Sequence, residues 1–113
     1  MPISQTESAD KPARERLPNR RACQTASYKH AGADFTLSIG HYPDGRIGEL
    51  FIAAGHANSA LDALASDAAI AISFALQYGA DLDALRSAMK RDARGNPSSP
   101  VGAALDLVVV QQP

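Results

Sequence analysis

The chain predicts an α+β domain: a three-stranded antiparallel meander followed by two or three helices packed on one face, in the order βββαα with room for a third short helix. Three observations carry this. Residues 34–42 alternate apolar and polar, the period of a half-buried strand. Two glycine-bearing turn signals, at 30–33 and 42–45, divide three extended segments. From about residue 58 the apolar period lengthens to three or four and holds until Gly79. Strands first and helices after is the segregated order of an α+β chain.

Composition agrees. The 113 residues suit one domain. With 45% hydrophobic and 20% charged residues, the balance is that of a globular chain. Only 5% are aromatic and there is no Trp, so the core must be aliphatic and rich in alanine. A net charge of −1 gives no bulk grip on nucleic acid, which is not an expected partner. One cysteine excludes an internal disulfide framework and a multi-cysteine zinc site within the chain. No uninterrupted run of about 18 apolar residues marks a membrane span. The N-terminal segment lacks the apolar stretch of a signal peptide, so the expectation is a cytoplasmic protein with no membrane contact.

Along the chain, residues 1–16 are polar, carry Pro2 and Pro12 and show no period; they read as a flexible tail, with one domain over 17–110. Charge is uneven: residues 1–21 hold five basic and three acidic groups, the remainder six and nine. Strands are expected over 22–30, 34–42 and 46–54. In the second, Phe35, Leu37 and Ile39 share one face. The third is more apolar, as for a strand at the centre of a sheet or covered on both sides. His30-Ala-Gly-Ala33 and Tyr42-Pro-Asp-Gly45 are the turns; in the second, Pro presets φ, Asp bonds the backbone and Gly takes the left-handed site.

Asn58 or Ser59 caps a helix running to about Tyr78, which Gly79 must stop. Leu61, Leu64, Ala65, Ala68, Ile72, Ala75 and Leu76 form its apolar face; Asp62, Ser66, Ser73 and Gln77 form the opposite side. Its many alanines let a neighbouring backbone come close, so Ala68, Ala71, Ile72 and Ala75 are candidate contacts for the core or for a second subunit. Asp81 caps a second helix to about Lys90, with Leu82, Leu85 and Met89 inward and Arg86, Lys90 and Arg91 in its last turns. Residues 93–100 are a loop, and 101–110 form a helix or a strand; Val108-Val-Val110 leaves both open.

Few residues carry chemistry. Cys23, the lone thiol, reads as a small buried hydrophobe inside a strand. His30, His41 and His56 end strands or begin loops; with Asp34 or Glu49 two of them have the donor types of a metal site, but no spacing demands one, and surface histidines are expected with no metal. Glu49, inside an apolar run, must face solvent, pair with Arg46, Arg20 or Arg21, or line a site. Asp67, at the border of the helix face, poses the same question. A structural ion pair is the expected answer; a ligand site of Arg20, Arg21, Glu49 and Asp67 is the alternative. Arg20-Arg21 also suits phosphate, but Phe35, Phe51 and Phe74 have core spacing and Tyr28 stands alone, so no stacking platform accompanies them. No nucleophile–base set, phosphate loop or paired-acid constellation appears.

Three segments carry a family resemblance: Leu17-Pro-Asn-Arg-Arg21, Ile39-Gly-His-Tyr-Pro-Asp-Gly-Arg-Ile-Gly-Glu-Leu-Phe-Ile52 and Ser66-Asp-Ala-Ala-Ile-Ala-Ile-Ser-Phe-Ala-Leu-Gln-Tyr-Gly79. Together, over about residues 17–107, they resemble the TSCPD domain, found near the C-terminus of vitamin B12-dependent (class II) ribonucleotide reductases and as small separate proteins. Where the resemblance places the motif that names the domain, this chain reads Ser98-Ser-Pro-Val101, without cysteine. The reductase chemistry it brings to mind needs a radical-bearing cysteine, a reducing cysteine pair and a radical source; one cysteine does not fill three roles. The resemblance therefore implies an accessory or regulatory interaction module with no cofactor. The expected partners are a reductase or another protein, and a second copy through the alanine-rich helix and an open sheet edge. A small-ligand or nucleotide-binding domain is the alternative, and an autonomous enzyme is not expected.

Overall fold

A computed structural model describes residues 13–55 and 59–111. Residues 1–12 of the expected tail over 1–16, His56 and the capping alternative Asn58 lie outside the described residues. The three strands form as the alternation and turns require: β1 (Cys23–His30), β2 (Ala33–His41) and β3 (Ile47–Ala54), then α1 (Ala60–Gln77), α2 (Leu82–Ala88) and α3 (Pro100–Gln111). The sheet order is β1-β2-β3, antiparallel throughout. Ala31 and Gly32, both at positive φ, make the two-residue turn whose twist matches its flanking strands. In the second turn Tyr42 N–H donates to Arg46 O at 2.8 Å, and Asp44 Oδ1 accepts from Arg46 N–H at 3.0 Å, the local bond expected of that Asp.

One sheet face presents Phe35, Leu37, Ile39, Leu50 and Ile52 to the core, where Ala65, Ala69, Ile72 and Leu76 of α1 and Ala104, Leu105 and Val108 of α3 meet them. At this length two helices and one sheet face suffice for a single aliphatic core.

β3 is not central: it is an edge strand, and its burial has another source. α1 lies along its outer edge with side chains that close the open backbone. Asp62 Oδ1 accepts from Ala54 N–H at 2.8 Å. Ser66 Oγ donates to Ile52 O at 3.0 Å. Ser73 Oγ accepts from Leu50 N–H at 2.9 Å, its single proton shared between the carbonyls of Leu50 and Ala69, each at 2.9 Å. Gln77 Nε2 donates to Gly48 O at 3.0 Å. The polar residues expected on the helix's solvent side are thus its sheet side, because a strand edge offers amides and carbonyls rather than apolar surface.

This fixes the phase of α1. Its buried residues are Ala65, Ala69, Ile72, Ser73, Leu76 and Gln77, while Leu61 and Leu64 are exposed. Phe51 and Phe74 are also exposed, and only Phe35 takes the expected core place. Tyr28 does not stand alone: it stacks on Phe35 at 5.4 Å between ring centroids. With 18 residues and a mean hydropathy of 1.3, α1 is long and apolar enough to cross a membrane by length and composition alone; Asp62 and Asp67 interrupt its apolar run, and here it is docked on the sheet.

Ser59 caps α1, accepting from Asp62 N–H at 3.0 Å, and the chain leaves the helix at Gly79. Asp81 caps α2, with Leu82 buried and Leu85 and Met89 packed on the core. Residues 101–110 are helical. Pro100 opens α3, Ser99 Oγ accepts from Gly102 N–H at 3.0 Å, and Val101, Ala104, Leu105 and Val108 turn inward together. Helical spacing of buried positions overrides the β preference of three valines.

Candidate interaction surface

The polar candidates come first. Glu49 lies opposite Gly40 of β2, on the sheet face turned from the core, yet it is buried. A Cβ at residue 40 would stand 2.2 Å from Glu49 Oε2, so only glycine leaves room for the carboxylate. Arg21 closes over it: Nε donates to Oε2, Nη2 donates to Oε1 at 3.3 Å, and Nη1 donates to Pro18 O at 2.7 Å. The hydrogen bond to Glu49 holds the Arg21 guanidinium above its ordinary pKa. A buried carboxylate needs such a partner, and the loop of residues 18–21 is folded around the pair.

The segment before it is fixed too. Arg14 Nε donates to Gln77 Oε1 at 2.6 Å and its guanidinium lies 4.2 Å from the Phe74 ring centroid. Glu15 N–H donates to Gln77 O at 2.8 Å, Tyr42 Oη donates to Glu15 O, and Arg46 donates to the Glu15 carboxylate at 3.0 Å. Arg14 and Glu15, inside the expected tail, are therefore bound to the body, because the last turn of α1 and the Tyr42 turn offer polar partners.

Of the four candidate ligand residues, Arg20, Arg21 and Glu49 are neighbours through Arg21, and Asp67 is apart from them. Arg20 is exposed and lines a depression of about 530 Å³ together with Arg21, Gln24, His41 and Pro43, but neither Glu49 nor Asp67 lines it. Asp67 is exposed on α1. His30 and His41 sit at opposite ends of the sheet, nine residues of β2 apart, and no group of three metal-ligating side chains occurs among the described residues. Cys23 is exposed, because β1 is an edge strand. Arg91 and Asp106 form a pair the sequence does not signal: Nη2 donates to Oδ1 at 2.6 Å and Nη1 to Oδ2 at 3.1 Å, between α3 and the segment after α2. That bond holds the Asp106 carboxyl below its ordinary value. Among the described residues no buried side-chain polar atom lacks a partner.

Apart from these polar groups, α1 carries an apolar outer side. Leu61, Leu64, Ala68, Ala71, Ala75 and Tyr78 follow one another at alternating steps of three and four along the outer side of α1. That step pattern is the seam of a two-helix contact. Leu64 is 70% exposed, and Leu61 and Tyr78 are exposed as well. Beside the seam, Ile70 and Phe74 are exposed on the same helix, and so is Phe51 on β3. Of the four contact residues expected from the sequence, Ala71 is exposed on this outer surface, while Ala68 and Ala75 are half-buried along it and Ala68 also packs against the core. Ile72 is not on it: a step of one residue turns it into the core, where it is 8% exposed.

Among proteins similar to this chain, the vitamin B12-dependent ribonucleotide reductase of Rhodopirellula baltica is 40% identical over 75 residues, covering 66% of the chain and 7% of the reductase. That of Agrobacterium fabrum is 44% identical over 70 residues, 62% and 6%. That of Bradyrhizobium diazoefficiens is 39% identical over 88 residues, 78% and 7%. No family model matches the chain, and no solved structure matches it. The resemblance drawn from the sequence is borne out in its relation to these reductases, and the chain corresponds to a small part of their length.

Proposed function

We propose, from the premise that this chain is a homologue of one small segment of vitamin B12-dependent ribonucleotide reductases, that it is an accessory interaction domain of the TSCPD type. It binds a partner polypeptide, and the partner is a reductase of that kind, which presents a helix to the outer face of α1. The observation that carries this reading is the exposed seam from Leu61 to Tyr78. Exposed apolar residues gathered along one helix side mark a contact surface, and small residues between them allow close helix approach. The polar side chains support it from the other side, since the buried carboxylate is neutralised within the chain by Arg21. The single cysteine, exposed on an edge strand, has no second thiol in this chain to exchange with.

The test is titration of the purified chain against the B12-dependent reductase of the same cell, read by surface plasmon resonance. Saturable binding is expected. Ala71→Asp should weaken it by about tenfold or more, because a buried charge at a contact is costly. The same change should leave the melting transition in place, since Ala71 is exposed in the monomer. Absence of binding, or nucleotide reduction by the chain alone with cobalamin and a dithiol, overturns the proposal.

A further inference from the structure

The two edges of the sheet are treated differently. The β3 edge is bonded by four side chains of α1, at Gly48, Leu50, Ile52 and Ala54. Among the described residues no side chain bonds the outer edge of β1, which α3 touches only from the core side, and the strand has no proline, no bulge and one charged side chain, Lys29. His41 N–H donates to Ala22 O, so the even-numbered residues of β1 turn their backbone groups toward β2. Residues 23, 25, 27 and 29 therefore present outward amides and carbonyls that no described residue pairs, a template for another strand.

We infer that this edge binds a second copy of the chain, β1 against β1 antiparallel, with Ala26 facing Ala26 of the partner subunit across a two-fold axis. Charge selects that register. With Ala26 on the axis, Cys23 faces the partner's Lys29 and Thr25 faces the partner's Ser27, so the outward groups pair completely and no like charges meet. A slip of two residues one way sets Arg21 opposite the partner's Lys29, which is repulsive. A slip the other way runs Cys23 past the partner strand into its turn and loses bonds. Ala26 also borders a depression of about 430 Å³, floored by Leu37 and Ile39 and walled by Leu107. The two-fold axis brings the depressions of both copies side by side, so apolar surface is covered along with the backbone ladder. The product is a continuous six-stranded sheet, and the outer face of α1 stays free for a different partner.

Light scattering should give twice the 11.8 kDa chain mass. On a Cys23→Ser background, Ala26→Cys should form an inter-chain disulfide under mild oxidation, because facing residues of a non-hydrogen-bonded antiparallel pair have the required Cα separation. Thr36→Cys on the same background, on the open sheet face away from the edge, should not. Thr25→Pro removes an outward amide that β2 does not use; it should weaken the dimer by about thirtyfold, through two lost amide bonds. The Thr25→Pro chain should still bind the reductase, which separates this proposal from the one on α1. A single-chain mass for the wild type, a crosslink no faster at residue 26 than at 36, or a dimer indifferent to Thr25→Pro each overturns it.

Discussion

Glu49 shows how one glycine decides the state of a charge. Its carboxylate is buried on the open side of the sheet only because Gly40 leaves its place vacant and Arg21 reaches over from the preceding loop. Gly40→Ala puts a methyl where Glu49 Oε2 now lies. The expected cost is about 1–3 kcal/mol, typical of forcing an atom into filled space. Urea denaturation reads it, and in a Glu49→Ala background the same change should cost much less. The sequence pointed to Glu49 and to the arginines before it, since a carboxylate in an apolar run needs a cation. It does not choose among Arg46, Arg20 and Arg21: Arg46 lies across the Tyr42 turn, Arg20 and Arg21 point opposite ways in an extended segment, and only the path of the chain selects one. Asp67 illustrates the reverse. It shares α1 with residues that meet the sheet, but its angular position leaves it exposed.

At the scale of the element, α1 is read correctly in extent and wrongly in phase. Its cap at Ser59 and its end before Gly79 are local signals and follow from local chemistry. Taking the polar residues as the solvent side gives the helix the wrong phase. Those residues instead close the edge of β3, and the apolar positions divide between the core and the outer seam. A helix apolar nearly all round has no unique inward face until the strand beside it is placed. Ser73 tests this role. In Ser73→Ala the Leu50 amide is left buried without its acceptor, at a cost of about 1–3 kcal/mol. Denaturant unfolding should show that loss, and hydrogen exchange should show faster opening at Leu50. The helical state of α3 was legible in principle. Val101, Ala104, Leu105 and Val108 repeat at helical steps, and that spacing outweighs the Val108-Val-Val110 run.

For the molecule as a whole, Tyr28 ties the sheet to the helical layer: its hydroxyl donates to Pro100 O at 2.8 Å while its ring stacks on Phe35. Burial pushes its phenol up to about 12, from the 10.0 of a free tyrosine. Because the folded-state value lies above the unfolded one, the stabilisation is complete below about pH 10 and is lost as pH rises through about 12. Denaturation midpoints should fall across that interval, and Tyr28→Phe should flatten the fall. The phenolate absorbance of the folded protein should lose its late-titrating component in the same variant. The two proposed contacts use unlike regions of the described surface, the apolar seam of α1 and the backbone edge of β1.

The strands, turns, caps and order of elements followed from the sequence itself, because alternation, turn chemistry and helix ends are set by residues a few positions apart. The kinship with B12-dependent reductases was legible there too, carried by runs such as Ile39–Ile52 and Ser66–Gly79. Tertiary structure alone decided which arginine meets Glu49, which side of α1 faces the strand edge, that Arg91 meets Asp106, and which sheet edge stays open. Each of these depends on contacts between groups distant in the chain, whose geometry is fixed only when the core closes.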